Sequence, residues 1–237
     1  ITVRLHRGVI GRARRVLGHY SREVQRHKAL GAHMRKFTAV AFFFLLLGSP
    51  AIHAADRCKY DEEALLALDE NAFDQDLSGG WRAIASIPGC ELAAAELLAA
   101  YRAKHPNAGT LLAWHEGQMR ASAGQYEQAI PLLEAARKPV EQDPTGWNHY
   151  VDATLAFLRH DNPALLAAQK RLAAVAYPEG AGMPPLKDGY FELPAPPGQP
   201  GMKMRWPPNI EVVDGLVACF RKPYEEAYGA SCRPPRP

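Results

Sequence analysis

The chain has 237 residues, 47% of them apolar and 22% charged, which is long enough to bury a sizeable core. Its formal net charge of +3 is unevenly spread, with ten of the 28 Lys/Arg and one of the 25 Asp/Glu before residue 37. Residues 56–237 keep 18 basic and 24 acidic side chains, a net of −6, so the basic balance gives no ground for nucleic-acid binding by the folded part.

Residues 1–33 contain no Met and carry eight Lys or Arg against one acid, Glu23. They are expected to be a non-native or disordered basic extension, translated upstream of a true start at Met34. A basic arm for nucleic acid or a membrane surface is the other reading of such a stretch. Residues 34–55, "MRKFTAVAFFFLLLGSPAIHAA", read as a signal peptide. Arg35 and Lys36 supply the basic region, and Ala39 to Leu47 the apolar run. That run is too short for a membrane span, which needs roughly 20 apolar residues. Small residues place the cut after Ala54 or Ala55. The protein is therefore expected to be periplasmic or secreted, touching the membrane only through the signal peptide before cleavage.

Four cysteines follow the cut: Cys58, Cys90, Cys219 and Cys232. An even count in an exported chain argues for two disulfides, with three connectivities open. Cys58–Cys90 and Cys219–Cys232 are favoured, because each pair brackets a helix-turn segment at one end of the chain. No C-x-x-C spacing supports a metal site.

Residues 56–178 are rich in Ala and Leu at helical spacing. "CELAAAELLAAYRAKHP" puts Leu92, Ala95, Leu98 and Ala99 on one face. "GTLLAWHEGQMRASAGQYEQAIPLLEAARKP" reads as two helices broken at Gly124, a left-handed C-cap. The second helix packs through Tyr126, Ala129, Ile130, Leu133 and Ala136. "TGWNHYVDATLAFLRHDNPALLAAQKRLAAVAYP" repeats the plan around "RHDNP", with Pro163 at a helix start. Pro106, Pro144 and Pro178 close the pairs at intervals of 38 and 34 residues, a solenoid period. Residues 179–208 suit a loop or β-hairpin, "YFEL" pairing with "MKMR" across "PAPPGQPG", with Met202, Met204 and Trp206 on the half-buried side. Residues 209–237 form a capping helix and tail. Asn209 is its N-cap, and Ile210, Val213, Val217 and Phe220 are its apolar stripe. "PYEEAY" adds a short last turn.

"GQMRASAGQYEQAIPLLEAA" resembles the tetratricopeptide repeat family. Gly117 and Ala129 have the spacing of that family's small residues, and Leu133 and Ala136 follow in register. The chain departs from the family at Ala113, Glu116 and Arg120, where Trp, Leu and Tyr are usual. The resemblance implies an all-α fold of stacked helical hairpins over 56–178, and a scaffold with no chemistry of its own. It also places the first helix of each pair on a concave groove, where Trp114, Gln118, Trp147 and Tyr150 form the candidate binding surface. The competing reading puts both Trp in the core.

Catalytic signals are sparse. "WHEGQM" begins like H-E-x-x-H, but Met119 stands where the second His must be, so His115 and Glu116 are assigned to the solvent face. Asp61, Glu62, Glu63, Asp69, Glu70, Asp74 and Asp76 read as a solvated acidic face. His149, Asp152 and His160 share one helix without converging. The expected protein is an exported interaction module of the cell envelope, binding an envelope protein or peptide, with no catalytic residues, metal, cofactor or nucleic-acid partner assigned. The alternative is an enzyme of unrecognised class. Its site would lie between the helical stack and residues 179–208, near His149, Asp152 or Tyr190.

Overall fold

The computed structural model describes residues 57–178, 180, 182–193 and 201–235. The stretches expected to be a basic extension (1–33) and a signal peptide (34–55), and residues 194–200, lie outside the described residues. Among the described residues the fold is all-α, with one two-stranded sheet. In chain order the helices are α1 (Glu62–Leu66), α2 (Gly80–Ala85), α3 (Glu91–Lys104), α4 (Thr110–Ser122), α5 (Tyr126–Ala135), α6 (Trp147–Leu158), α7 (Asn162–Ala173), α8 (Ile210–Ala218) and α9 (Tyr224–Tyr228). A single π-turn, Asn71–Gln75, stands between α1 and α2.

Helices adjacent in sequence pack against each other, most closely α3 on α4, α4 on α5 and α6 on α7. The turns between partners are sharply specified. After α4, Gly124 takes φ 77°, and Gln125 N–H donates to Arg120 O at 2.8 Å. This six-to-one closure satisfies a carbonyl that the helix end leaves open. His160 closes α6 in the same way at φ 55°, with Asp161 N–H on Ala156 O at 2.9 Å. Asp161 then caps α7 through Ala164 N–H, 3.0 Å, and Pro163 is the second helical residue. Gly117 lets α4 and α5 approach. A Cβ there would lie 2.8 Å from Leu133 Cδ2 and 3.3 Å from Ala129 O.

Two apolar clusters build the core. One joins Phe73, Trp81, Ile84, Ala94, Leu97, Leu98, Tyr101 and Leu112. The other runs from Trp114 through Leu133, Tyr150, Phe157 and Leu172 to Val213, Leu216, Tyr224 and Ala227. The face of α3 is rotated from the expected one. Ala94, Leu97 and Tyr101 are buried with Ala95 and Leu98, while Leu92 is exposed. Tyr101 causes the rotation. Its ring stacks on Phe73 at 3.7 Å, and its hydroxyl donates to Leu68 O at 3.0 Å.

The hairpin forms as expected, with β1 (Tyr190–Leu193) antiparallel to β2 (Met202–Arg205) and Phe191 opposite Met204. Phe191 is buried, but Met202 at the tip is exposed. Trp206 anchors the base by donating to Val175 O at 2.8 Å. Asn209 occupies the N-cap position of α8 without a side-chain bond, because its backbone is left-handed (φ 66°), a conformation Asn tolerates.

Both disulfides, Cys58–Cys90 and Cys219–Cys232, are present, with Cα separations of 5.4 and 6.0 Å. They are compatible with an oxidising, exported location. Among the described residues no helix is long and apolar enough to cross a membrane. Beyond α8 the chain turns back, and α9 packs against α4. The tail thus covers a face of α4 as well as closing the end of the helical array.

Candidate functional site

The predicted groove residues meet, but as packing. Trp114, Tyr150 and Gln118 are buried, and Trp147 is half-buried. Trp114 lies 4.8 Å from Trp147 and 5.0 Å from Tyr150, ring centre to ring centre. Trp147 N–H of the indole donates to Ala136 O at 2.8 Å, and Gln118 donates to the Tyr150 hydroxyl at 3.3 Å. The face expected to stand open is filled by the chain's own Tyr224 and Ala227, both buried.

A second departure has a different cause, the packing of the π-turn, α2 and α3 on α4. Leu112 to Gln118 are all buried, so α4 has no solvent face over this stretch. His115 and Glu116 are therefore interior, not solvated as expected. Glu116 is held by Arg102 and by Arg120, whose Nε donates at 2.7 Å. Two guanidiniums and i,i+4 geometry compensate its burial.

Asp74 is likewise not part of a solvated acidic face: it is 2% exposed. The π-turn carries it inward, and Gly80 makes that possible. Gly80 has φ 52°, and a Cβ there would lie 2.0 Å from Phe73 O. Only glycine lets the start of α2 sit on the turn, which brings the two following side chains to Asp74. The Trp81 indole N–H donates to Asp74 Oδ1 at 2.8 Å, and Gln75 donates to Oδ2 at 2.6 Å. Arg82 Nε donates to the Asp74 backbone carbonyl at 2.9 Å, with its Nη2 3.7 Å from Oδ1.

From 41 residues away, His115 Nδ1 comes within 2.7 Å of the same Oδ1. Burial works to raise the Asp74 pKa. The His115 hydrogen bond and charge, the Trp81 N–H and the Arg82 guanidinium outweigh it and hold the carboxyl below its ordinary value. An ionised carboxylate only accepts, so Nδ1 carries the proton and donates. In the neutral ring this leaves Nε2 as the acceptor. Among the described residues no hydrogen-bond partner meets Nε2.

His115 borders a cavity of about 350 Å³. From α4 come His115, Gln118, Met119 and Ser122, the i, i+3, i+4, i+7 stripe of one helical face. From α2 come Trp81, Arg82, Ala85 and Ser86, and from α9 Tyr224 and Tyr228. The walls are aromatic and apolar with a few polar groups, the usual make-up of a ligand site. Tyr224 and Tyr150 stand behind this wall. Burial and neighbouring tyrosines push both phenols well above their ordinary pKa. The Gln118 amide lies near the Tyr224 hydroxyl but bonds to Tyr150, and the buried Tyr224 hydroxyl keeps no partner.

The residues named for an alternative enzyme site do not converge. His149 Nδ1 is 4.0 Å from Asp152 Oδ2, and Asp152 is taken by Arg137 and Arg171 at 2.7 and 3.0 Å. Tyr190 lines a different cavity, of about 550 Å³, with Pro184, Lys187 and Phe191. Among the described residues no group of three or more His, Cys, Asp and Glu is placed to hold a metal ion. The chain matches no family model, no curated protein and no solved structure.

Proposed function

We propose that this chain is an exported binding protein of the cell envelope, and that its ligand site is the cavity between α2, α4 and α9. The observation that carries this reading is His115: a buried imidazole, fixed on Asp74, bordering a cavity of mixed aromatic, apolar and polar lining. A hydrogen-bond donor carried by a ligand can meet its Nε2 from the cavity. The partner is an envelope protein or peptide that inserts one small, largely apolar group bearing a hydrogen-bond donor.

Export rests on residues 34–55 as a cleaved leader, and the two disulfides support it. The array belongs to the tetratricopeptide type. Its support is the α4–α5 hairpin, where Gly117 approaches Ala129 and Leu133. Such a repeat would normally bind along an open groove. Here the tail occupies the groove, so binding moves to the edge where tail, α2 and α4 meet.

A fragment screen read by the indole N–H resonances tests the site. Hits should shift Trp81, whose indole is tied to Asp74, and lose affinity in His115→Gln. Hits that shift only Trp147 would move the site back to the face beside Lys138. Mass spectrometry of the exported protein tests the leader, with a mature N-terminus at Ala55 or Asp56 expected.

A further inference from the structure

We infer that the Asp74–His115 pair is a proton-transfer dyad, and that the cavity hydrolyses a small neutral carboxylic ester. This rests on the cavity being the ligand site, and puts a small ester with a water, the hydrogen-bond donor to His115, where the binding reading puts a group of a protein or peptide. His115 is the catalytic base, and Asp74 is a positioning residue.

A general base needs an imidazole in one tautomer and one orientation, with its free nitrogen facing the reactants. Asp74 supplies both constraints at once, through a 2.7 Å bond to Nδ1. Asp74 cannot swing away, because Trp81, Gln75 and Arg82 hold it on other sides. Packing adds to this, with the His115 ring 5.1 Å from the Trp81 ring. The fixed end of the imidazole is buried and the free end borders the cavity, the layout of a nucleophile-activating pair.

The nucleophile is water. Ser86 and Ser122 border the cavity, but Ser86 Oγ donates to Ala83 O at 2.8 Å, and neither serine hydrogen-bonds His115. In the first step a water O–H breaks, its proton goes to Nε2, and its oxygen bonds to the acyl carbon. The tetrahedral intermediate then collapses. The ester C–O bond breaks, and the leaving oxygen takes the proton back from Nε2. One water is consumed, a carboxylic acid and an alcohol are released, and His115 returns neutral.

The lining sets the substrate class. Among the described residues Arg82 is the one guanidinium in the wall, and the Asp74 carboxylate and carbonyl already engage it. No unpaired cation remains there for a phosphate or carboxylate, which favours an uncharged substrate. Trp81, Met119 and Tyr228 offer apolar surface for an acyl or aryl group.

The test uses the full chain with p-nitrophenyl butyrate as substrate and N-(4-nitrophenyl)butyramide as an uncleaved isostere. Saturable ester hydrolysis is expected. His115→Gln should lower kcat at least about 100-fold with KM little changed, the size of a general-base contribution. His149→Gln, half-buried beside Asp152 and outside the cavity, should match the wild type. Asp74→Asn should move the acidic limb of the pH–rate profile to lower pH, because the amide no longer stabilises the imidazolium. Should His115→Gln not fold, Ser122→Phe, which fills the cavity, should abolish saturation. Hydrolysis equal in His115→Gln and wild type overturns the dyad. Isostere binding without ester turnover overturns the dyad and leaves the binding reading standing. Neither binding nor turnover overturns both.

Discussion

His115 Nδ1 lies 2.7 Å from Asp74 Oδ1, and the two residues are 41 positions apart. This contact ties the π-turn to α4 and so joins the N-terminal cluster to the helical hairpins. Asp74→Asn keeps the shape but removes the anion. A loss of about 2–3 kcal/mol is expected, the range for a charged partner removed from a buried bond. The pH dependence follows from the lowered Asp74 pKa. The unfolded carboxyl binds a proton at higher pH than the folded one, so this stabilisation is complete above the unfolded pKa. It is lost as pH falls from about 4 toward the folded value. Urea midpoints measured from pH 7 to pH 3 should fall more steeply for wild type than for Asp74→Asn below pH 4. Parallel curves would mean that Asp74 is not ionised in the fold.

Tyr224→Phe should raise stability. Among the described residues its buried hydroxyl meets no partner, while its backbone N–H is satisfied by the Tyr126 hydroxyl at 3.1 Å. Removing an unpaired buried hydroxyl relieves a desolvation cost of about 1 kcal/mol. A gain in thermal midpoint is the expected result, and a loss would show that the hydroxyl has a partner. The raised phenol pKa values of Tyr150 and Tyr224 have the opposite sign to Asp74. Their neutral forms stabilise the fold fully below the unfolded pKa of about 10, and the contribution is lost as pH rises past it. Absorbance at the phenolate band should therefore show these two ionising together with alkaline unfolding.

What was legible in the sequence was local. Apolar spacing, Gly124 and "RHDNP" marked α4 to α7, because helix faces and left-handed caps are set by near neighbours. The cysteine pairing was legible for the same reason. The candidate site was not. Nothing in "YDEEALLALDENAFDQD" distinguishes Asp74 from Asp69 or Asp76, because its burial depends on a π-turn, a glycine at Gly80 and a histidine far along the chain. His115 and Glu116 were misplaced for a related reason. Helical phase gave α4 a solvent face, but Asp74 of the π-turn, Trp81 of α2 and Arg102 of α3 cover it. The stripe His115, Gln118, Met119, Ser122 was visible as a spacing, and its partners on α2 and α9 were not. The groove aromatics Trp114 and Tyr150 became core through the tail.

Gly117→Ala tests the close approach of α4 and α5. The new Cβ would lie 2.8 Å from both Cδ2 and Cγ of Leu133, itself fully buried. Better helix propensity favours the change by at most about 1 kcal/mol. Overpacking a tight core costs typically 1–3 kcal/mol, so a net loss of about 1–2 kcal/mol is expected in urea unfolding. Gly117→Ala with Leu133→Ala should recover the clash but leave a cavity, and the two changes should be non-additive. Additive effects would mean that the two side chains do not meet.

The tail provides the last prediction. Tyr224 and Ala227 fill the face over Trp114 and Tyr150, yet α9 is only five residues long. A helix this short has little stability of its own. Its position depends on the Cys219–Cys232 bridge, which closes a span of 13 residues, and on Arg233 donating twice to Tyr228 O. A double Cys219→Ala, Cys232→Ala variant should lose about 2–3 kcal/mol, near the chain-entropy value for a loop of this size. Hydrogen exchange should show that loss first at residues 219–235. Once α9 loosens, acrylamide should quench Trp114 fluorescence more strongly. The corresponding change at Cys58 and Cys90, whose bridge spans 32 residues, should instead loosen the segment before α3 and spare α9. Unchanged protection over 219–235 in the first variant would show that packing on α4 holds the tail without the bridge.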